Sequence, residues 1–300
     1  MLEGIVVKAS SSFYTVHTPN GEFVCQARGR IKRQRTVTDL IAVGDRVRID
    51  DQVSSPQIVE VLPRRSKLSR RAPDPHRARS GSDHEQIIVA NPDQAVFVFA
   101  CHHPDPHLRM LDRYLVSAEV DNLPAIIVAN KIDLVEPVAA GEKFGAYERI
   151  GYRVFYTSAK YGDGVESLRA CLTGRISVLS GPSGVGKSTL LNALQSGLGL
   201  AAKALSRATH KGRHTTVTVQ LLPFEGGYLA DTPGVRALGL WDVLPGEMAL
   251  GFREFRPLLG ACKFNDCLHV DEPGCAVRAA VKRGAVTRER YDSYLRMLKE

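Results

Sequence analysis

Gly181-Pro182-Ser183-Gly184-Val185-Gly186-Lys187-Ser188 decides the fold of this chain. It follows an apolar run at 176–180 and precedes a helical pattern through 195. In that strand–loop–helix setting the glycines let backbone N–H groups wrap a phosphate at a helix N-terminus. Lys187 is then placed to span two phosphates, and the Ser188 hydroxyl, with Thr189 beside it, to meet a Mg²⁺ ion. A glycine-rich turn also arises for packing alone, so the neighbouring segments have to agree with it.

They do, but in rotated order. Upstream, Asn130-Lys131-Ile132-Asp133 follows the apolar run 125–129, and Thr157-Ser158-Ala159-Lys160 follows 153–156. A carboxylate at Asp133 accepts from both N1–H and the exocyclic amine of guanine, whereas adenine leaves that charge unpaired. Sites of this kind discriminate by roughly 10⁴ to 10⁵. Asn130 is expected to bond the base edge and brace neighbouring loops, Lys131 to lay its stem over the ring, and the Ala159 N–H to meet O6, with Ser158 and Lys160 completing the base pocket. Downstream come His214-Thr215-Thr216 and Asp231-Thr232-Pro233-Gly234. An ordinary guanine-nucleotide hydrolase begins with its phosphate loop, so this order implies circular permutation.

The downstream motifs suggest the chemistry. Asp231 is expected to hold Mg²⁺ through water and the Gly234 N–H to touch a γ-phosphate, while Thr215 or Thr216 supplies a second hydroxyl to the metal; spacing does not choose between them. The residue after Gly234 is Val235, which cannot orient an attacking water as a glutamine would. Intrinsic hydrolysis should therefore be slow, with His214 the candidate replacement on this chain. A loop histidine with no such role is the plainer alternative.

Away from the nucleotide motifs, residues 1–62 carry five short runs rich in Val, Ile and aromatics, at 4–8, 13–18, 22–27, 45–50 and 57–62. Asn20-Gly21 marks a tight hairpin between the second and third. Five strands in so short a span suggest an oligonucleotide-binding β-barrel. Between its strands Arg28, Arg30, Lys32, Arg33 and Arg35 crowd together, a density that a polyanion would relieve. A second basic stretch, assigned to a linker at 63–84, includes Arg64, Arg65, Lys67, Arg70, Arg71, Arg77 and Arg79.

From 85 to 240 apolar strands at 87–90, 95–100, 125–129, 153–156, 176–180, 217–222 and 228–230 alternate with helical stretches. That alternation predicts a doubly wound α/β domain with ligands beyond the carboxyl ends of its strands. Residues 241–300 hold two helical candidates, 276–283 and 287–299, the latter with Tyr291, Tyr294, Leu295 and Leu298 on one face and Thr287 as cap. Cys262, Cys267, His269 and Cys275 lie within 14 residues. Three thiolates and one imidazole fill a tetrahedral site completely, which predicts one structural Zn²⁺ per chain. Cys25, Cys101 and Cys171 stand apart and read as buried core thiols.

Bulk properties agree. A net charge of +8 favours polyanionic partners such as RNA. Nothing resembles a membrane span or a signal peptide, which predicts a cytoplasmic protein.

Taken together, the permuted motif order, the Gly212-Arg213-His214-Thr215-Thr216 segment and the cysteine–histidine spacing resemble the bacterial small ribosomal subunit biogenesis GTPases, the ribosome small-subunit-dependent GTPase A family. The resemblance covers essentially the whole chain. It implies a multidomain α/β protein: an oligonucleotide-binding barrel at 1–62, a circularly permuted P-loop GTPase domain at 85–240 and a zinc-binding helical domain at 241–300. It further implies GTP hydrolysis with Mg²⁺, His214 as the catalytic histidine, binding to the 30S subunit mainly through 16S rRNA, and stimulation by that subunit. A monomer is expected. Val217 interrupts the threonine run after His214, so the metal-binding threonine stays open between Thr215 and Thr216. A GTP-dependent RNA-binding factor in RNA modification or stress signalling is the alternative, as is a non-hydrolysing RNA adaptor, against which the intact Lys187, Ser188, Asp231 and Asp133 argue.

Overall fold

The computed structural model describes residues 1–10, 12–29, 40–53, 55–71, 85–195, 219–231 and 245–299. The five expected N-terminal strands are present as β1 (Leu2–Ser10), β2 (Phe13–Thr18), β3 (Gly21–Ala27), β4 (Arg46–Asp50) and β5 (Gln57–Val61). They close in the order β1-β2-β3-β5-β4-β1, with β3 and β5 parallel. Closure removes the unpaired edges that such short strands would otherwise expose. Val6, Val16, Val47, Ile49 and Ile58 fill the barrel interior with no solvent exposure. Of the basic loop between β3 and β4, positions 30–39 lie outside the described residues.

The linker expectation needs correction at its start. Lys67–Arg71 forms β6 and pairs antiparallel with β7 (Glu85–Ala90) in a sheet of its own. Residues 87–90 were expected in the doubly wound sheet; the backbone groups of β7 are instead met by β6. Leu68, Ile88 and Val89 bury themselves in the domain core from there. Residues 72–84 lie outside the described set. This hairpin also clamps the barrel. Buried Asp45 accepts from Arg64 Nε and Nη2 at 2.7 Å each, and Ala42 N–H donates to it at 2.7 Å. Gly44 has φ +92° and a Cβ there would sit 2.0 Å from the Ala90 carbonyl oxygen, so only glycine allows that approach.

The main sheet runs β10 (Arg153–Thr157), β9 (Ala125–Asn130), β8 (Gln94–Ala100), β11 (Ile176–Ser180), β13 (Gly227–Asp231), β12 (Gln220–Phe224), all parallel except β12. Every residue of β8 and β9 is buried, as expected for strands covered on both faces. Phe97 and Phe99 each contribute about 1.5–3 kcal/mol by that burial. Of the run expected at 217–222, the described strand begins at Gln220.

Helices α1 (Leu108–Val120), α2 (Pro137–Arg149), α3 (Val165–Leu172) and α4 (Lys187–Gln195) follow β8, β9, β10 and β11 in turn. The chain runs from β8 outward to β9 and β10, then returns to the other side of β8 for β11. The order therefore reverses between β8 and β11, the kind of switch point at which open α/β sheets bind ligands.

The C-terminal unit holds α5 (Ala276–Lys282) and α6 (Arg288–Met297). The Thr287 side chain accepts from the Arg290 N–H, as its capping role predicts. Phe252, Phe255, Val277, Tyr291 and Tyr294 form the unit's core, and Val116 of α1 joins it. Among the described residues no helix is long and apolar enough to cross a membrane.

Candidate nucleotide site and metal centre

The segments 130–133 and 157–160, expected to read the base, meet the glycine-rich loop 181–188 at the carboxyl ends of β9, β10 and β11. Asn130, the last residue of β9, is 1% exposed. Its amide donates to the Val185 carbonyl at 2.9 Å, while its Oδ1 accepts from the Thr157 hydroxyl at 3.0 Å and the Ala159 N–H at 3.1 Å. One side chain thus ties three loops together. The bracing role expected for Asn130 is present. The Ala159 N–H, expected at guanine O6, points at Asn130 here.

Asp133 and Ser158 are neighbours: the Ser158 hydroxyl donates to Asp133 Oδ1 at 2.6 Å. That bond fixes the carboxylate's orientation and leaves its other oxygen for a ligand. Lys131 has left-handed backbone, φ +63°. Its ammonium donates to the Gly184 carbonyl at 2.7 Å and to the His103 carbonyl. The stem therefore lies across from the phosphate loop towards the loop after β8. Lys160 sits exposed, its ammonium 4.7 Å from the Tyr161 ring centroid.

In the phosphate loop, Gly186 has φ +92° and a Cβ would fall 2.5 Å from Asn130 Nδ2. Gly181 packs so tightly on β8 that a Cβ would lie 2.1 Å from the Val98 carbonyl oxygen. Val185 is buried and anchors the loop in the core, whereas Ser183 and Gly184 face outward. Lys187 starts α4, its ammonium donating at 2.7 Å to the carbonyls of both Gly181 and Pro182. Ser188 and Thr189 are exposed on the first turn. Asp231 ends β13 in register with Leu179, which places its backbone beside the start of the phosphate loop. His214, Thr215, Thr216 and Gly234 lie outside the described residues, as does the connection 235–240.

Sequence reasoning missed the Thr157 hydroxyl and the His103 carbonyl as parts of this scaffold. Thr157 stands next to Ser158 and could have been found from its place in the motif. His103 arrives only because β8 lies beside β9, and no local signal marks it.

The second cluster is compact. The ligand atoms of Cys262, Cys267, His269 and Cys275 all lie within 4.8 Å of one another. The three sulfurs stand 3.5, 3.4 and 3.4 Å from His269 Nδ1. A tetrahedral ion at ordinary Zn–S and Zn–N distances separates sulfur from nitrogen by about 3.6 Å, so the donor set fits one. The surroundings favour thiolates as well: the Ala276 and Arg278 N–H groups donate to Cys262 and Cys275 sulfurs at 3.3 and 3.4 Å. The Tyr291 and Tyr294 hydroxyls donate to the His269 and Leu268 carbonyls, each at 2.6 Å, pinning the turn that carries the histidine. Glu272 adds a third anchor, accepting from the Leu268 and Val270 N–H groups at 2.8 Å each. Burial works against its charged form, but these and neighbouring backbone bonds outweigh that and hold its carboxyl below the ordinary range.

The isolated cysteines are buried, as expected. Desolvation pushes the Cys25 and Cys101 thiols up to about 11.

Comparison with known proteins agrees with this geometry. The family model described as RsgA GTPase matches residues 61–241, and that described as RsgA N-terminal domain matches 3–56. The small ribosomal subunit biogenesis GTPase RsgA of Gemmatimonas aurantiaca is 48% identical over 99% of this chain and 96% of its own length. The protein of the same name from Moorella thermoacetica is 41% identical over 100% and 97%. Among solved structures, YjeQ from Thermotoga maritima aligns with TM-score 0.78 and 35% identity, covering 99% of this chain and 97% of that one. YloQ, described as a circularly permuted GTPase, aligns at 0.74 with 31% identity, covering 100% and 94%. With the permuted strand order, the phosphate loop braced by Asn130 and the barrel in front of them, this GTP-hydrolysing chain belongs to the RsgA GTPase family.

Proposed function

We propose that this enzyme binds the small ribosomal subunit late in its maturation, mainly through 16S rRNA, and that the subunit stimulates hydrolysis of GTP to GDP and phosphate, which drives release. The reading rests on the full-length relatives named for small-subunit biogenesis and on a barrel of the oligonucleotide-binding type joined to the nucleotide domain. The single observation that carries the nucleotide part is the Asn130 brace between the base loops and the phosphate loop.

In this reading Asp133 selects guanine and Asn130, Lys131, Ser158, Ala159 and Lys160 shape the base pocket. Gly181 to Gly186 present N–H groups to the phosphates. Lys187, now bonded to its own loop, turns towards the β- and γ-oxygens. Ser188 and Asp231, with Thr215 or Thr216, would hold Mg²⁺, which neutralises developing phosphate charge when bound. His214 would replace the water-orienting glutamine that Val235 cannot be, and the Gly234 N–H would sense the γ-phosphate. The GTP form binds the subunit tightly and the GDP form leaves it. Zn²⁺ at Cys262, Cys267, His269 and Cys275 is structural, since protein atoms fill all four positions. The protein works as a cytoplasmic monomer.

The test is GTP turnover with and without purified 30S subunits, for wild type and His214→Ala. Strong stimulation in wild type and its loss in the variant are expected. Turnover indifferent to subunits would overturn the ribosomal role and favour a GTPase of RNA modification or stress signalling.

A further inference from the structure

Two adjacent residues of β1, Val6 and Val7, are both buried but on opposite faces. Val6 belongs to the barrel interior, and Val7 to the core of the GTPase domain with Leu221 of β12 and Ala230 of β13. A register shift between Val6 and Lys8 lets β1 leave the barrel. Lys8 then pairs antiparallel with Gln220, so the barrel and the nucleotide sheet become one hydrogen-bonded surface.

A polar contact stands on the same side. His17 Nδ1 of β2 lies 2.7 Å from the Tyr228 hydroxyl of β13, their rings edge-on at 5.8 Å. Each gripped strand adjoins a segment of the proposed hydrolytic machinery. Gln220 follows Thr216 by four positions in the chain, and Tyr228 precedes Asp231 by three. The two strands are themselves paired, Gln220 against Asp231, so a displacement of one is passed to the other.

We propose that His17 and Tyr228 are positioning residues for subunit-stimulated hydrolysis, the contact through which the barrel sets the placement of the strands carrying the histidine segment and Asp231. The inference rests on the subunit-stimulated reading above. The Lys8–Gln220 pairing directs β12 alone, and apolar contact through Val7 holds the barrel against β12 and β13 without prescribing a direction, because burial is non-directional. A hydrogen bond between two rings does prescribe one. Hydrolysis depends on placement to within an ångström, so a barrel gripped by rRNA alters the rate by fixing this contact's geometry. Neither side chain touches nucleotide in this scheme.

The experiment measures GTP turnover, GTP KM and 30S affinity for wild type, Tyr228→Phe, His17→Ala and His17→Gln, with thermal melting alongside. Tyr228→Phe and His17→Ala should lower the 30S-stimulated kcat by about fivefold, the scale of one lost hydrogen bond, while basal kcat, KM and subunit affinity stay within about twofold. His17→Gln, which keeps a group able to meet the phenol, should recover most of the stimulated rate. If His17→Ala does not fold, Tyr228→Phe carries the test, since it removes one oxygen only. Wild-type stimulation in Tyr228→Phe overturns the inference, as does a parallel fall of basal and stimulated rates, which marks a merely structural contact. A wild-type enzyme that subunits do not stimulate overturns the functional reading itself, whatever the variants do.

Discussion

The Asn130 amide donates to the Val185 carbonyl across 2.9 Å, joining the end of β9 to the middle of the phosphate loop 55 residues later in the chain. The same side chain accepts from Thr157 and Ala159, so the loops after β9 and β10 and the glycine-rich loop after β11 share one pin. Asn130→Ala leaves the buried Thr157 hydroxyl and Val185 carbonyl without partners, at about 1–3 kcal/mol each, and frees the half-buried Ala159 N–H as well. Part of that loss relaxes, and the expected outcome is GTP affinity reduced by about 100-fold, read by titration calorimetry. An affinity within threefold of wild type would show that the loops are held by something else.

Asp133 carries the base discrimination in this reading, with one oxygen held by the Ser158 hydroxyl at 2.6 Å. Wild type should prefer GTP over ATP by at least about 10⁴, since adenine leaves the carboxylate unpaired. Asp133→Ala should collapse the preference to within about tenfold, through weaker GTP binding and no gain for ATP. Competition of both nucleotides against a fluorescent GDP analogue measures the ratio directly.

The cluster of Cys262, Cys267, His269 and Cys275 has the donor set of a zinc site, and zinc there would shield its thiols chemically. At neutral pH the Cys25 and Cys101 thiols, pushed by burial to about 11, stay protonated, and their thiolates become appreciable only as pH climbs towards that value. Cys262, Cys267 and Cys275 should be protected by one bound Zn²⁺. Cys171 is buried as well, so native alkylation at pH 7.5 is expected to modify almost nothing, and chelation should open Cys262, Cys267 and Cys275. Elemental analysis giving one zinc per chain completes the test; rapid alkylation of all three before chelation would contradict it.

How much of this was legible in sequence depended on distance along the chain. The phosphate loop, the hairpin at Asn20-Gly21 and the Thr287 cap are local devices, and each sits where its pattern placed it. The β6–β7 hairpin was not legible, because β6 is basic and its partner lies beyond residues 72–84. Lys67 to Arg71 therefore read as linker. Nor could sequence pair His17 with Tyr228, which are 211 positions apart. Arg290 carries no local sign of burial, yet it is among the most buried charges of the described residues, since its partners Asp112 and Glu254 stand 178 and 36 positions upstream.

Arg290 ties α1 to the C-terminal unit. It donates to Asp112 Oδ1 of α1 at 2.8 Å and to both oxygens of Glu254, at 2.7 and 3.2 Å. Tyr147 and Ser293 donate their hydroxyls to Asp112 as well. Burial opposes the arginine's charge, but the two carboxylates outweigh it and hold the guanidinium firmly protonated. Arg290→Met would leave two buried carboxylates without their cation, at about 3–5 kcal/mol. The loss should fall on the joint between α1 and the C-terminal unit, where Glu119 also binds Arg253 and Arg256 at 2.6 Å each. Chemical denaturation should show the C-terminal unit melting ahead of the sheet, with nucleotide affinity retained. Replacing Arg290, Asp112 and Glu254 together by apolar residues of similar volume should restore most of the stability, because an apolar cluster has no stranded charge. If the triple variant were as unstable as Arg290→Met, the hydrogen-bond pattern itself, and not charge compensation, would be what holds the joint.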